Sequence, residues 1–378
     1  MDHFLKITNY NLRVSTTPIH VPFTISKESL PRATIVIVEV RTESGYRGLG
    51  ECAPFSSLTY DNIESARKVA SSLLDQCVGL TVEDAIKVVD QSFAELSAES
   101  ITGVVGVECA LWDLRAQIRS QSLSQLFGHA RLSGLTTDIT MPIMAPQDIA
   151  GFWQLYGPYG FKTIKVKISG NSSSDSDMMA ELVRRVSEAT NYILDCNQGC
   201  SVASTLQLLD DAQRLKMRVL FCEQPLPEQD ITGLSQLAKL TPVPICVDET
   251  VRTADDLAKL LNLGLKPIVN IKIMKSGVAE ALKIIGLALA SGCPLMIGGM
   301  LESEIAMGFS LHIACGTGAF TYADLDTPFF FTKRITVDSP WHNHKSQLKL
   351  PTGYGLGLAL SACDAYTKDS SSTHSSVG

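Results

Sequence analysis

The stretch FKTIKVKISG, residues 161–170, alternates in an unusual way. Strand residues two apart point the same way, so Lys165 and Lys167 share one face and Ile164, Val166 and Ile168 the other. A strand built for burial that carries two neighbouring cations needs partners to offset their charge. Its chain neighbours show what kind of sheet it joins. Upstream lies TDITMPI (137–143); downstream lie NYILD (191–195), RVLFCE (218–223), VPICVD (243–248), IVNIK (268–272), PLMIG (294–298) and FTYAD (320–324). Between them run amphipathic segments such as MMAELVRRVSEA, TLQLLDDAQRL, ADDLAKLLNLG and VAEALKIIGLALASG. Eight strand–helix repeats in about 200 residues predict a (β/α)8 barrel, modified in that the last helix is unassigned. A doubly wound sheet is the rival, but it usually brings a glycine-rich phosphate turn after its first strand, and none follows TDITMPI.

Polar residues recur at the C-terminal ends of successive strands. After Lys165 and Lys167 come Asp195, Glu223, Asp248 and Lys272, spaced 28, 28, 25 and 24 residues from Lys167 onward. Each repeat therefore delivers one charge to the same rim, which in this fold is the active-site face. Three carboxylates converging on one point do not stay ionised together without a cation. Two Asp and one Glu offer oxygen donors only, which suits a hard ion such as magnesium. Lys165 and Lys167 would face the barrel mouth, with Lys272 opposite. Lysines buried near other cations are expected to have lowered pKa values, and a neutral lysine serves as a general base. Two such lysines flanking a metal-held carboxylate suit removal of an α-proton on one side and its return on the other. Asp324 and Asp326, in YADLDTP, share a strand face. From the residues alone they make either an anionic pocket for an ammonium group or a solvated turn before proline.

Before the barrel, HFLKITNYNLRV and ATIVIVEVRT read as strands, and three helices follow. Asp61 with Glu64 and Thr81 with Asp84 offer N-terminal capping patterns, and VVGVECALWDLRAQI is the third helix. The predicted organisation is an α+β capping domain over 1–130, the barrel over 131–335, a C-terminal segment over 336–365 that packs back on and completes the cap, and a disordered polar tail over 366–378.

Composition narrows the function. With 378 residues, 45% hydrophobic and 19% charged, the chain is too apolar for disorder and long enough for two domains. A net charge of −7 without a basic stripe argues against nucleic acid as a partner. No apolar run reaches membrane-spanning length, and MDHFLKITNY lacks a secretory layout. A cytoplasmic location is the expectation, with an organellar transit segment ahead of this sequence as the alternative. The ten cysteines lack zinc-finger spacing and read as buried thiols.

Taken together, these motifs resemble the enolase superfamily, in its muconate-lactonizing subgroup, and within it the dipeptide epimerases; the resemblance spans about residues 4 to 362. It implies that Lys167, in KVK, and Lys272, in NIKIMKSG, are opposing acid/bases with Lys165 in support. It implies one magnesium ion per subunit on Asp195, Glu223 and Asp248, in DxN, EQP and DE contexts. Gly298 and Met300, in GGMLES, match a segment lining the substrate site, and DLD at 324–326 matches the DxD that grips a dipeptide's α-ammonium group. Lys275 matches a further lysine with no chemistry assigned. The implied ligand is a small dipeptide, and the implied state a homo-oligomer of unspecified number.

One position departs from the pattern. Family members acting on Ala-Glu dipeptides carry an arginine in a mobile loop of the cap, where ungapped register here puts Glu28, in PFTISKESLPR. An acid there would repel a Glu side chain, which predicts neutral or hydrophobic second residues; a one-residue shift would bring in Lys27 instead. That loop and APFSSLTYDN (53–62) are expected to reach the site. The competing readings are another reaction on the same scaffold (N-acylamino acid racemisation, cycloisomerisation or dehydration) and a non-catalytic barrel that binds ligands.

Overall fold

The computed structural model describes residues 5–128 and 132–361; the tail expected to be disordered lies outside the described residues. The chain begins with an antiparallel meander of β1 (Ile7–Thr24), β2 (Ser29–Thr42) and β3 (Arg47–Cys52). β2 is buried on both faces, and its alternation sorts side chains into two cores. Val36, Val38 and Val40 pack with the cap helices, whereas Ile35 and Ile37 join the core shared with the barrel. The cap sheet is thus a layer pressed between its own helices and the barrel. Gly48 and Gly50 of β3 permit close packing on one helix, since a Cβ at either would strike the backbone of Ala110 or Gly106.

The first of the cap's long helices starts one residue from where its capping pattern alone places it. Asn62, not Asp61, caps the helix Ile63–Cys77, in a capping box with Ser65. Asp61 is buried and accepts instead from the Ser100 hydroxyl and from Thr102 N–H and hydroxyl. It thereby caps a second start inside Val82–Ile118, where Ser100 is non-helical at φ −157°. Thr81 caps the beginning of that span by accepting from Asp84 N–H, as expected.

After β4 (Gly134–Thr136) comes an eight-stranded parallel sheet in chain order: β5 (Ile139–Met141), β6 (Thr163–Lys167), β7 (Asn191–Asp195), β8 (Arg218–Glu223), β9 (Ile245–Val247), β10 (Ile268–Lys272), β11 (Leu295–Gly298) and β12 (Tyr322–Ala323). The sheet curls until its edges touch, Asp138 N–H donating to Ala323 carbonyl at 3.1 Å. Seven helical crossovers join the strands. The unassigned eighth position holds a single 3-10 turn, Thr327–Phe330, rather than a helix. Inside the barrel, Ile193, Phe221, Cys246, Ile268 and Met296 form an apolar floor, with Tyr322 against it. Two residues beyond four of these lie Asp195, Glu223, Asp248 and Asp324, after Ile193, Phe221, Cys246 and Tyr322. The strand period of two therefore places a charged layer directly above a dry one.

Beyond the barrel, β13 (Thr336–Val337) pairs with β15 (Ala359–Leu360), β14 (Gln347–Lys349) pairs with β4, and Leu356 N–H donates to Asp113 of the helix Val82–Ile118. Two more buried carboxylates dock cap on barrel. Glu51 accepts from Ser303 N–H at 2.8 Å, and Glu108 accepts from Val278 and Ala279 N–H at the start of Val278–Ser291. An acid is well placed there, against the positive end of the helix dipole. Among the described residues, no helix is long and apolar enough to cross a membrane, and the nine described cysteines are buried free thiols.

His312, on the helix Glu304–Thr317, joins these parts by bonding Ser124 N–H and Leu356 carbonyl, each at 3.1 Å. Burial lowers its pKa to about 4. The unfolded chain then binds the proton more readily, so stability is full above pH 6.5 and falls as pH drops toward 4. At pH 5 this one group should cost about 2 kcal/mol. Urea denaturation at pH 7 and pH 5 checks it: His312→Gln should show a shallower pH slope than wild type, and an identical slope would exclude the assignment.

Candidate active site

The charged layer sits where the strands end, and every member is buried. Lys165, central on β6, reaches Asp195 at 3.0 Å, Glu223 at 2.9 Å and Asp324 at 2.7 Å. Lys167 meets Asp195 at 2.6 Å and Asn197 Oδ1 at 3.1 Å. From β10, Lys272 pairs with Asp248 at 2.6 Å. β6 and β10 are four positions apart in an eight-stranded closed sheet, so Lys167 and Lys272 enter from opposite sides.

The acids Asp195, Glu223 and Asp248 are at most 1% exposed. Glu223 Oε2 and Asp248 Oδ2 make no aligned hydrogen bond and face Lys165 and Lys272 by charge alone. The three acids offer hard oxygen donors only, which is the chemistry of a magnesium-type site. Here lysine ammonium groups stand against them, and among the described residues the spacing of one oxygen each within 4.8 Å is met by Asp138, Asp324 and Asp326 instead. The groups that hold these acids are mostly ones the sequence reading left unassigned. Asn270 donates to Glu223 at 2.8 Å, and it lies so close to Gly298 that a Cβ there would stand 2.5 Å from its Oδ1. Gln224, at φ +34°, accepts from Asp248 N–H and Thr250 N–H and ties two strand ends together. Lys275 donates to Asp248 carbonyl, to Asp248 Oδ1 and to Asn270 carbonyl, so it braces the β9 and β10 ends. Glu249 buries both carboxylate oxygens beside Asp248 without a hydrogen bond.

The expected depression of lysine pKa is found at Lys275, where burial outweighs Asp248, and is reversed at Lys165 and Lys272. Burial also pulls on Lys165, but Asp195, Asp324, Glu223 and Asp138 more than offset it and hold the amine well above its ordinary range. Lys272 is raised in the same way, with Asp248 foremost among the acids opposing burial. The surplus of carboxylates, rather than proximity of other cations, decides the direction. Against burial, Lys165, Lys167 and Lys272 hold Asp195 down to about 2. Burial and Asp195 push Glu223 up to about 7.

A second acidic group stands at the seam. One oxygen each of Asp138, Asp324 and Asp326 lies within 4.8 Å of the other two. Asp138 escaped the sequence reading; its signal was TDIT, which puts Asp138 and Thr140 on the face that Lys165 occupies next door. Asp326 accepts from Thr140 N–H, and burial with Asp324 nearby raises it to about 7.

The cap covers this layer. In the β1–β2 hairpin, Phe23 lies 5.8 Å beneath the Lys167 amine and packs edge-on with Phe55 and Phe330. Ser26 hydroxyl donates to Asn197 carbonyl. Glu28 accepts from Ser57 N–H at 3.1 Å, joining the hairpin to the 53–62 segment, while Lys27 is exposed. Met300 is buried, its N–H donating to Glu302.

Two family models cover most of this architecture. The enolase C-terminal domain-like model matches residues 153–364, and the mandelate racemase / muconate lactonizing enzyme N-terminal domain matches residues 7–128. The chain belongs to the enolase superfamily. Within the superfamily it is similar to an L-Ala-D/L-amino acid epimerase of Populus trichocarpa, 32% identical over 85% of this chain and 77% of that one. It is similar to a hydrophobic dipeptide epimerase of Citrifermentans bemidjiense, 30% identical over 95% of this chain and 99% of the other. Among solved structures, a dipeptide epimerase of Enterococcus faecalis complexed with Mg and L-Leu-L-Tyr superposes with a TM-score of 0.85 at 26% identity, covering 94% and 99% of the two chains.

The bracing role of Lys275 is open to test. Lys275→Met removes three donors from buried acceptors and should cost about 3 kcal/mol. A urea midpoint within experimental error of wild type would mean that the contacts contribute nothing net.

Proposed function

We propose that this protein is a magnesium-dependent dipeptide epimerase that inverts the α-carbon of the second residue of L-Ala-L-Xaa substrates. The observation that carries the reading is the opposition of Lys167 and Lys272 across three buried carboxylates, in a chain whose relatives bear that activity in their names. Asp195, Glu223 and Asp248 would hold the ion. When bound, it would supply positive charge that neutralises the acids and favours the doubly negative enediolate over the singly negative substrate carboxylate.

The protein's own groups do the rest. Lys165 offers its charge to the substrate carboxylate, strengthening as that group gains electrons. One of Lys167 and Lys272 removes the α-proton, and the other returns one from the opposite face. Either must be neutral to act as base, so the acids now holding Lys272 charged must be neutralised first; the ion and the ordering of proton transfer are therefore coupled. Asp324 and Asp326 receive the α-ammonium group, which N-acylated substrates lack. The hairpin and the 53–62 segment exclude water and face the second residue. Phe23, Phe55 and Phe330 give that side an apolar character, and Glu28 adds an acid rather than a cation; both support neutral or hydrophobic second residues.

In D2O with magnesium, wild type should exchange the α-proton of L-Ala-L-Phe faster than that of L-Ala-L-Glu. A clear preference for the acidic dipeptide would overturn the specificity, and exchange with no dipeptide would overturn the reaction. EDTA should stop exchange and magnesium restore it. Lys167→Ala and Lys272→Ala should each lower epimerisation by about 10³-fold or more, with exchange surviving from one stereoisomer only. Normal inversion by both variants would rule out the two-base scheme.

A further inference from the structure

The seam cluster holds more acid than the two residues of the DLD motif. Asp138 enters from the short link between β4 and β5, immediately before the barrel's first strand, and its place is held tightly. Asp138 N–H donates to Ala323 carbonyl at 3.1 Å, Leu325 N–H donates to the Thr137 hydroxyl at 2.7 Å, and Thr140 N–H donates to Asp326. The backbone therefore presents Asp138 to Asp324 and Asp326 as one rigid unit.

Neither carboxylate oxygen of Asp138 has a hydrogen-bond partner, and the residue is 3% exposed. Asp326 Oδ1 and the Tyr156 hydroxyl are buried and unpartnered as well. Unpaired buried acid is expensive, and the lysine nearest the cluster, Lys165, is 2.7 Å from Asp324. Three points no more than 4.8 Å apart always have a centre about 2.8 Å or less from each. That is the length of a charged N–H···O bond. A primary ammonium has three N–H donors, one for each carboxylate. The Lys165 charge at the edge of the cluster repels a divalent ion more strongly than a singly charged amine.

Resting on the dipeptide reading, we propose that Asp138 is the third acceptor for the substrate's α-ammonium group, so that the pocket selects a primary amine over an N-alkylated one. Asp138 would be a positioning residue: it touches a part of the substrate remote from the reacting carbon. Its loss should weaken binding much more than turnover.

The test compares L-Ala-L-Phe with its N-methyl-L-Ala analogue, by α-deuterium exchange, in wild type and Asp138→Asn. Wild type should prefer the primary amine by about tenfold or more in kcat/KM. Asp138→Asn should raise KM for L-Ala-L-Phe about tenfold, change kcat by no more than about threefold, and narrow the preference over the N-methyl analogue. An unchanged KM, or a fall confined to kcat, overturns the proposal. So does an unchanged KM accompanied by a shifted magnesium requirement, which would make the cluster a metal site. Should the variant not fold, equal kcat/KM for the two substrates in wild type overturns it as well. Failure of the dipeptide reading is separate, since wild type would then exchange neither compound.

Discussion

The structure depends on one electrostatic constraint: more carboxylates are buried in the barrel mouth than a protein interior tolerates unpaired. Lys165 meets the largest share of that charge. Its single amine reaches Asp195, Glu223 and Asp324 within 3.0 Å. It therefore links the acids of β7 and β8 with those at the barrel seam. Each group is poised by the others, and the titration of any one reports on the whole set.

The same constraint explains the dry floor below and the cap above. Ile193, Phe221, Cys246, Ile268 and Met296 keep water from the layer underneath. Above, β2 gives Ile35 and Ile37 to the shared core and its valines to the cap helices. A sheet committed on both faces does not slide over the rim; it is keyed in place by Glu51 at Ser303 and Glu108 at a helix start. The lower dielectric so created strengthens every ion pair in the layer.

Much of this was legible before any coordinates, and particular residues show why. All eight barrel strands were identified, because short apolar runs ending in a charge differ sharply from the amphipathic helices between them. The helix Ile63–Cys77 was assigned to Asp61 as its cap; a local pattern does not reveal that Asp61 is claimed by Ser100 and Thr102, about forty positions on. Asp138 gave a weak signal because a lone Asp at a strand start usually ends in a turn. Lysine pKa values were expected to fall because nearby cations were counted and the more numerous acids were not.

Sequence alone determined the period of strands and helices, and with it which side chains share the barrel's inner face and at what height. It also determined the chemical inventory: lysines from β6 and β10, acids from β7, β8 and β9, and the acid pair after β12. These are consequences of a strand period of two and a repeat of about 25 residues, both local properties. Only the tertiary structure decided what those groups do to one another. Closure of the sheet brings Asp138 against Asp324 and Asp326, although 186 residues separate Asp138 from Asp324. Closure also sets Lys165 among acids from three other strand ends. Charge interactions fall off with distance in space rather than along the chain, so pairing, burial and pKa direction were settled only when the barrel closed.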